Sequence, residues 1–260
     1  MILYFAGAES YGKGLETRTD TNELFSYYRL PENKVQYMRE RPCKTFLDSG
    51  GYSAMSVGAD IDIDVYIDFL QKNKDGIDYY AQLDVIGDEQ ATKKNLEYME
   101  SKGLEPLPVF HYGSNYKRLE ELIEKYEYIC LGGLVPLAKK QSILYNHLDR
   151  CFSIAKDKVK IHGFGMTGIP VLKRYPFYSV DSTAWLEATR RGTYYEWKNG
   201  DMHGVSTSNK KEATIKSIRF SGKGEDGKLW RRRCVHAIEE WKKCETYITK
   251  LWEKKGIKWG

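Results

Sequence analysis

Short apolar runs recur along the chain at a steady spacing and stop at polar or glycine residues. They are Ile2–Ala6, Thr45–Asp48, Tyr79–Asp84, Leu107–His111, Tyr128–Gly132, Val159–Gly163 and Phe177–Asp181. Runs of this length read as buried strands. Helical patterns lie between them at Ile63–Lys74, Glu89–Lys102, Asn115–Lys125 and Ser142–Lys156. Ile63, Tyr66, Ile67 and Leu70 show the i, i+3, i+4, i+7 spacing of an amphipathic helix, as do Leu119, Leu122, Ile123 and Tyr126. Strand–helix alternation implies right-handed βαβ units and a parallel sheet. Seven strands with room for an eighth predict an α/β fold, a (β/α)8 TIM-type barrel, with its catalytic core in residues 1–192. The eighth strand has three candidates: Thr193–Trp197, Gly204–Thr207 and Thr214–Phe220.

Beyond Asp181 the texture changes. Thr183–Arg191 reads as one more helix, Trp197–Asp201 as a turn, and Ser221–Gly227 as a mobile loop. Cys234–Lys255 reads as a long basic helix with a packing stripe of Val235, Ile238 and Trp241. Residues 193–260 are thus expected to complete the barrel and add a basic, partly helical extension.

The ends of the strands carry the candidate chemistry. Six of them finish at Asp48, Asp84, His111, Gly132-Gly133, His162-Gly163 and Asp181. In a β/α barrel such ends converge on one face, where active sites lie. Asp48 opens Asp48-Ser49-Gly50-Gly51-Tyr52, whose glycines permit a sharp turn and a close backbone approach to a ligand. The plainer reading of Asp48 and of Asp181 is helix capping, a role Ser182 could equally fill. The functional reading makes Asp181 a nucleophile or one member of a carboxylate pair, with Asp48 its natural partner. Two carboxylates across a sugar suffice for glycosyl transfer. Asp84 could accept from an amidine-like edge such as guanine N1–H and N2–H.

Two competing motifs fail on context. Gly163-Phe164-Gly165-Met166-Thr167-Gly168 matches a dinucleotide fingerprint, but it follows the sixth run rather than the first, and Pro170 and Pro176 leave room for only a short helix. Its glycines are expected to open space at the barrel mouth. His111 and His162 lack a neighbouring ligand cluster, and Cys234-Val235-His236 with Cys244 lacks a fourth ligand. Neither a metal nor a nucleotide cofactor is expected.

Composition adds a compartment and a partner. The 260 residues include five scattered cysteines with no CxxC pair, which fits a reducing cytoplasm. No apolar run approaches the roughly 18 residues of a membrane span, and Met1–Ala8 lacks the basic leader of a signal peptide. The net charge of +5 is unevenly spread. Residues 1–150 hold 18 Lys and Arg against 24 Asp and Glu; residues 151–260 hold 23 against 12. A basic third points to a polyanion. Arg231, Arg232 and Arg233 beside Trp230, and Lys242 and Lys243 beside Trp241, are candidate contacts to phosphates and unpaired bases, as is Trp252 near Lys254-Lys255. The plainer reading has the tryptophans packing the last helix onto the barrel.

In order, Asp48-Ser49-Gly50-Gly51-Tyr52, Asp84, Leu131-Gly132-Gly133-Leu134, the glycine-rich turn near Phe164 and Val180-Asp181 resemble the tRNA-guanine transglycosylase superfamily. Phe5-Ala6-Gly7-Ala8-Glu9, Leu83–Asp88, Pro108–His111, His162–Gly165 and Tyr178–Thr183 are similar to its compact phage-type members that modify DNA, the deoxypurine-in-DNA A (DpdA) enzymes. The resemblance covers roughly residues 1–190. It implies a barrel enzyme, a pentosyltransferase, that exchanges guanine for a free 7-deazaguanine (preQ0- or preQ1-type) base at C1′. By position it makes Asp181 the nucleophile and Asp48 the acid and base. Asp84, Gly132 and Gly133 would read the base edge, while Tyr52 and Phe164 would close on its faces.

Two departures bear on the substrate. His111 stands where the tRNA enzymes commonly carry glutamine, so the exocyclic group it meets would differ. Their Cys/His zinc motif has no counterpart in this sequence. The missing zinc motif favours DNA over tRNA of the queuosine pathway, with a flipped-out base as the reacting group. A nucleic-acid-binding barrel without catalysis is the alternative from another class.

Overall fold

A computed structural model describes residues 1–7, 9, 20–186, 193–206 and 229–259. Its centre is eight parallel strands: β1 (Ile2–Ala6), β2 (Asn22–Ser26), β3 (Thr45–Asp48), β4 (Tyr79–Tyr80), β5 (Val109–His111), β6 (Tyr128–Gly132), β7 (Lys160–Gly163) and β8 (Ser179–Ser182). Strands adjacent in sequence are adjacent in space, and β8 returns to β1. The remaining seam, between β4 and β5, is joined by an Ala81–Leu107 bridge. There Leu107 N–H donates to Tyr80 O at 2.8 Å and Gln82 N–H to Leu107 O at 3.0 Å. This is the β/α barrel that the alternation predicts.

Strand periodicity divides the core. Tyr4, Leu24, Phe46, Ala81, Val109 and Cys130 fill the barrel. Leu3 and Phe5, on the opposite face of β1, belong to the layer under the helices. The helices are α1 (Asn33–Arg39), α2 (Gly51–Met55), α3 (Ile63–Asn73), α4 (Glu89–Ser101), α5 (Tyr116–Lys125), α6 (Gln141–Ala155), α7 (Ile169–Arg174) and α8 (Leu229–Lys254). α3 buries Tyr66, Ile67 and Leu70, as its spacing requires. Three helices begin at side-chain caps, each accepting early backbone N–H groups: Asp62 for α3, Asp88 for α4 and Asn115 for α5.

The eighth strand is β2, not a segment beyond residue 192. β2 has only two apolar residues, Leu24 and Phe25, between polar ones, so it does not read as an apolar run; its buried Glu23 pairs with Arg41 at 3.0 Å. Thr193–Trp197 and Gly204–Thr207, expected as barrel strands, instead fall largely within an antiparallel hairpin. It is formed by β9 (Thr193–Lys198) and β10 (Asp201–Ser206). Asn199 and Gly200 turn it with φ of 54° and 77°, the turn signalled by Trp197–Asp201. Thr214–Phe220 and the Ser221–Gly227 loop lie outside the described residues. Of the helix expected at Thr183–Arg191, the described part holds a single 3-10 turn, Ala184–Leu186.

α8 occupies the place of the barrel's eighth helix. Its Glu245 accepts the Leu3 N–H at 2.8 Å, Thr249 accepts from the Met1 amino group at 3.0 Å, and the Trp252 indole donates to Leu172 O at 2.9 Å. Trp241 and Trp252 are buried, so these two rings pack the helix and are not stacking platforms. No helix among the described residues is long and apolar enough to cross a membrane.

Candidate active site

All eight strand ends open on one cavity of about 510 Å³, within the range of small-molecule sites. Asp48, Asp84, His111 and Asp181 line it together with Gly132 and Gly133, and Tyr52 and Phe164 stand at its sides. Every catalytic and base-binding position read from the sequence therefore meets the others in one place.

The β3–β5 side is built on the glycine turn. Buried Phe46 and Leu47 carry β3 to the rim, where Asp48 pairs in register with Ser26. Gly50 follows at φ 80°, and a Cβ there would come within 2.6 Å of both Ser26 Oγ and Tyr28 Cβ. The turn sends the Gly50 N–H back to Asp48 Oδ2 at 3.1 Å. Asp48 thus organises its own turn without capping α2, whose start has no side-chain cap. Ser49 Oγ donates to Asp84 Oδ1 at 2.9 Å, and His111 Nε2 lies 2.8 Å from Asp84 Oδ2. Each Asp84 oxygen thereby has one protein partner and keeps a second lone pair for a ligand donor. A Cβ on Gly132 would sit 2.6 Å from His111 Cδ2, so this glycine is the slot that admits the imidazole.

Burial, followed by the charges of Asp84 and Asp181, pushes the Asp48 carboxyl well above the usual carboxylate range; the Gly50 N–H pulls weakly the other way. Asp48 is therefore a group able to hold a proton beside two other carboxyls.

On the opposite side, Asp181 Oδ1 accepts the Gly165 N–H at 2.9 Å. Gly165 has φ 66°, and a Cβ on it would reach Val135 Cγ2 at 2.5 Å. The second glycine of the apparent dinucleotide motif therefore serves the carboxylate. His162 Nε2 lies 3.3 Å from the same Oδ1. The His162 ring is fully buried, stacked on Phe46 at 4.6 Å and edge-on to Phe164 at 4.7 Å.

Sequence reasoning missed several members. Ser49 lies inside the Asp48–Tyr52 motif, and nothing in the sequence assigns His162 a role beside Asp181. Glu9 lines the cavity with one buried carboxylate oxygen that has no hydrogen-bond partner, and burial raises its carboxyl. Arg29 follows β2 and was hidden with that strand.

Of the basic residues expected to meet a nucleic acid, Arg232, Arg233, Lys242 and Lys243 are not among the residues lining the cavity. Lys242 pairs with Asp20 and Lys243 with Glu240, both at 2.6 Å. Arg232 is exposed and Arg233 half-buried, while the side chains of Trp230 and Arg231 lie outside the described residues. Around the candidate Cys234/His236 pair, His236 Nε2 meets Tyr195 O at 2.7 Å and its ring stacks on Tyr194 at 4.4 Å. No family model matches the chain, and no curated protein matches it significantly.

Proposed function

We propose that this barrel exchanges a purine base in a polynucleotide, replacing guanine in DNA with a 7-deazaguanine through a glycosyl–aspartate intermediate. The observation that carries the reading is the pair of unlike carboxyls on one cavity. Burial and the neighbouring acids favour the proton on Asp48, and Asp181 Oδ1 accepts the Gly165 backbone N–H. Neighbourhoods that differ in this way suit Asp48 to proton transfer and Asp181 to nucleophilic attack.

In the first half, an Asp181 oxygen attacks C1′ as the C1′–N9 bond breaks. The electron pair leaves with the base, and N9 takes the Asp48 proton. In the second half the incoming base gives its N9 proton to Asp48 and attacks C1′, and the C1′–O bond electrons return to Asp181. Asp84 and His111 supply hydrogen-bonding atoms for the base edge, with Tyr52 and Phe164 positioned as flat neighbours. A purine in a duplex must leave its stack to reach such a cavity. The net positive charge of residues 151–260 suits a phosphate backbone.

The test offers labelled guanine or 7-deazaguanines to single-stranded DNA, duplex DNA and tRNA. Label in DNA is expected. Label in tRNA alone moves the enzyme to that polymer, and polymer binding with no label in any of them leaves the non-catalytic barrel.

A further inference from the structure

Beneath Asp181 a line of polar groups runs through the buried floor of the barrel. Tyr128 Oη lies 2.6 Å from Ser179 Oγ, and Ser179 Oγ lies 2.6 Å from His162 Nδ1. The far ring nitrogen, His162 Nε2, lies 3.3 Å from Asp181 Oδ1. Ser179 and His162 are completely buried, and Tyr128 nearly so. Three neighbouring strands build this line, because His162 is in register with Cys130 on one side and Ser179 on the other.

The direction of the protons along it follows from what each end can do. A serine hydroxyl can accept twice, but accepting from both neighbours would leave its own buried proton with no acceptor among the described residues, so the two 2.6 Å contacts use it once as donor and once as acceptor. If Tyr128 donates to Ser179, Ser179 donates to Nδ1 and the His162 proton sits on Nε2, facing Asp181. In the reverse direction the Tyr128 proton has no acceptor among the described residues, and the Nε2 lone pair faces a carboxylate oxygen. Both consequences are costly in a dry interior.

We propose that His162 is a positioning residue for Asp181, held as the Nε2–H tautomer by Ser179 and Tyr128. The Gly165 N–H donates to Oδ1, and His162 Nε2 lies 3.3 Å from the same oxygen without a formed hydrogen bond, which leaves Oδ2 as the oxygen that bonds to C1′. Among the described residues no hydrogen bond reaches Oδ2. When the C1′–Oδ2 bond breaks in the second half, charge returns to a carboxylate that accepts one backbone N–H and has the imidazole 3.3 Å away, close enough to tighten into a second contact. The tautomer and the Oδ1 contact stand on geometry; the bonding role of Oδ2 rests on the base-exchange reading.

The experiment has two arms. In the first, long-range nitrogen–proton NMR on histidine-labelled protein, with His162→Phe for assignment, reports the tautomer directly; the chain has only 5 histidines. The Nε2–H form is expected in wild type and a mixture in Ser179→Ala. The Nδ1–H form in wild type overturns the proposal whatever the protein catalyses. In the second, His162→Phe and Ser179→Ala, each checked by melting, are expected to lower kcat about 10–100-fold with the KM of the base unchanged, the scale seen for partners that orient reactive groups. Tyr128→Phe, which leaves Ser179 able to donate, is expected to lose much less. Folded variants with wild-type kcat overturn the positioning role. A wild-type protein that labels no polymer refutes base exchange instead, and the tautomer result still decides whether His162 is held toward Asp181.

Discussion

The two sides of the cavity use the same residue type in opposite ways. On the β3–β5 side, Asp48 sits among other acids; its own turn offers it one N–H, and burial with like charge favours the proton. On the β7–β8 side, Asp181 is flanked by a backbone N–H and by a buried imidazole fixed from below. The difference shows that the rim has no single electrostatic character. Each strand end brings its own neighbours, and those neighbours decide whether a carboxyl stores a proton or offers an electron pair.

The largest expected effect breaks the comparison on the β7–β8 side. Asp181→Ala removes the group that would bond to C1′, and base exchange should fall on the order of 10⁴-fold or more. Polymer affinity should be largely kept. Full turnover by this variant, measured with labelled guanine, would end the assignment of Asp181 as nucleophile.

Next comes Asp48→Asn, which keeps the shape and the Gly50 contact but cannot move a proton. A loss of about 10²–10⁴-fold is expected, the usual worth of a positioned acid and base. The variant also sharpens the comparison through stability. A carboxyl raised on folding contributes stability that is complete below its unfolded value of roughly 3.9 and is lost as pH rises through the raised value. Asp48→Asn should therefore melt higher than wild type at pH 8, by roughly 2–4 °C per kcal/mol recovered, with the gain vanishing near pH 4. A variant that melts lower at pH 8 would mean that Asp48 is ionised at little cost and is no proton store.

A smaller effect tests the floor between the two sides. Gly132→Ala would place a methyl where His111 now lies, 2.6 Å from Cδ2 and 2.9 Å from Nε2. The imidazole must shift and its contact to Asp84 must lengthen. The KM of the incoming base is expected to rise about 10-fold, the worth of one lost hydrogen bond to a charged group, with a smaller change in kcat. An unchanged KM would remove His111 and Asp84 from base recognition.

Much of this architecture is visible in the chain itself, because a barrel places strand ends together whatever their distance in sequence. Asp48, Asp84, His111 and Asp181 were recognisable for that reason: each ends an apolar run, and the fold class alone puts them on one rim. β2 is not recognisable, since only Leu24 and Phe25 in it are apolar, and Arg41, the partner that lets Glu23 be buried, stands in a later segment. The role of α8 was half legible. Its amphipathic stripe showed a packed helix, but nothing local showed that Trp252 would reach Leu172 or Glu245 the start of β1. The Tyr128–Ser179–His162 line was hidden most deeply. It depends on the register of three strands, and no spacing within any one of them encodes that register.

The smallest expected effect lies outside both sides of the cavity and serves as their control. DNA affinity should fall by orders of magnitude between about 50 and 200 mM salt if the basic third meets the phosphates. Lys242 and Lys243 were natural candidates for that contact by sequence. Each ammonium, however, already rests 2.6 Å from a carboxylate, on Asp20 and Glu240 respectively. Replacing either with alanine should change the slope of log affinity against log salt by less than the roughly 0.9 that one phosphate contact contributes. A full decrement for either variant would mean that its ion pair opens on DNA binding. The helix that closes the barrel would then also touch the polymer, and the division between a cavity rim proposed to hold the chemistry and a structural α8 would fail.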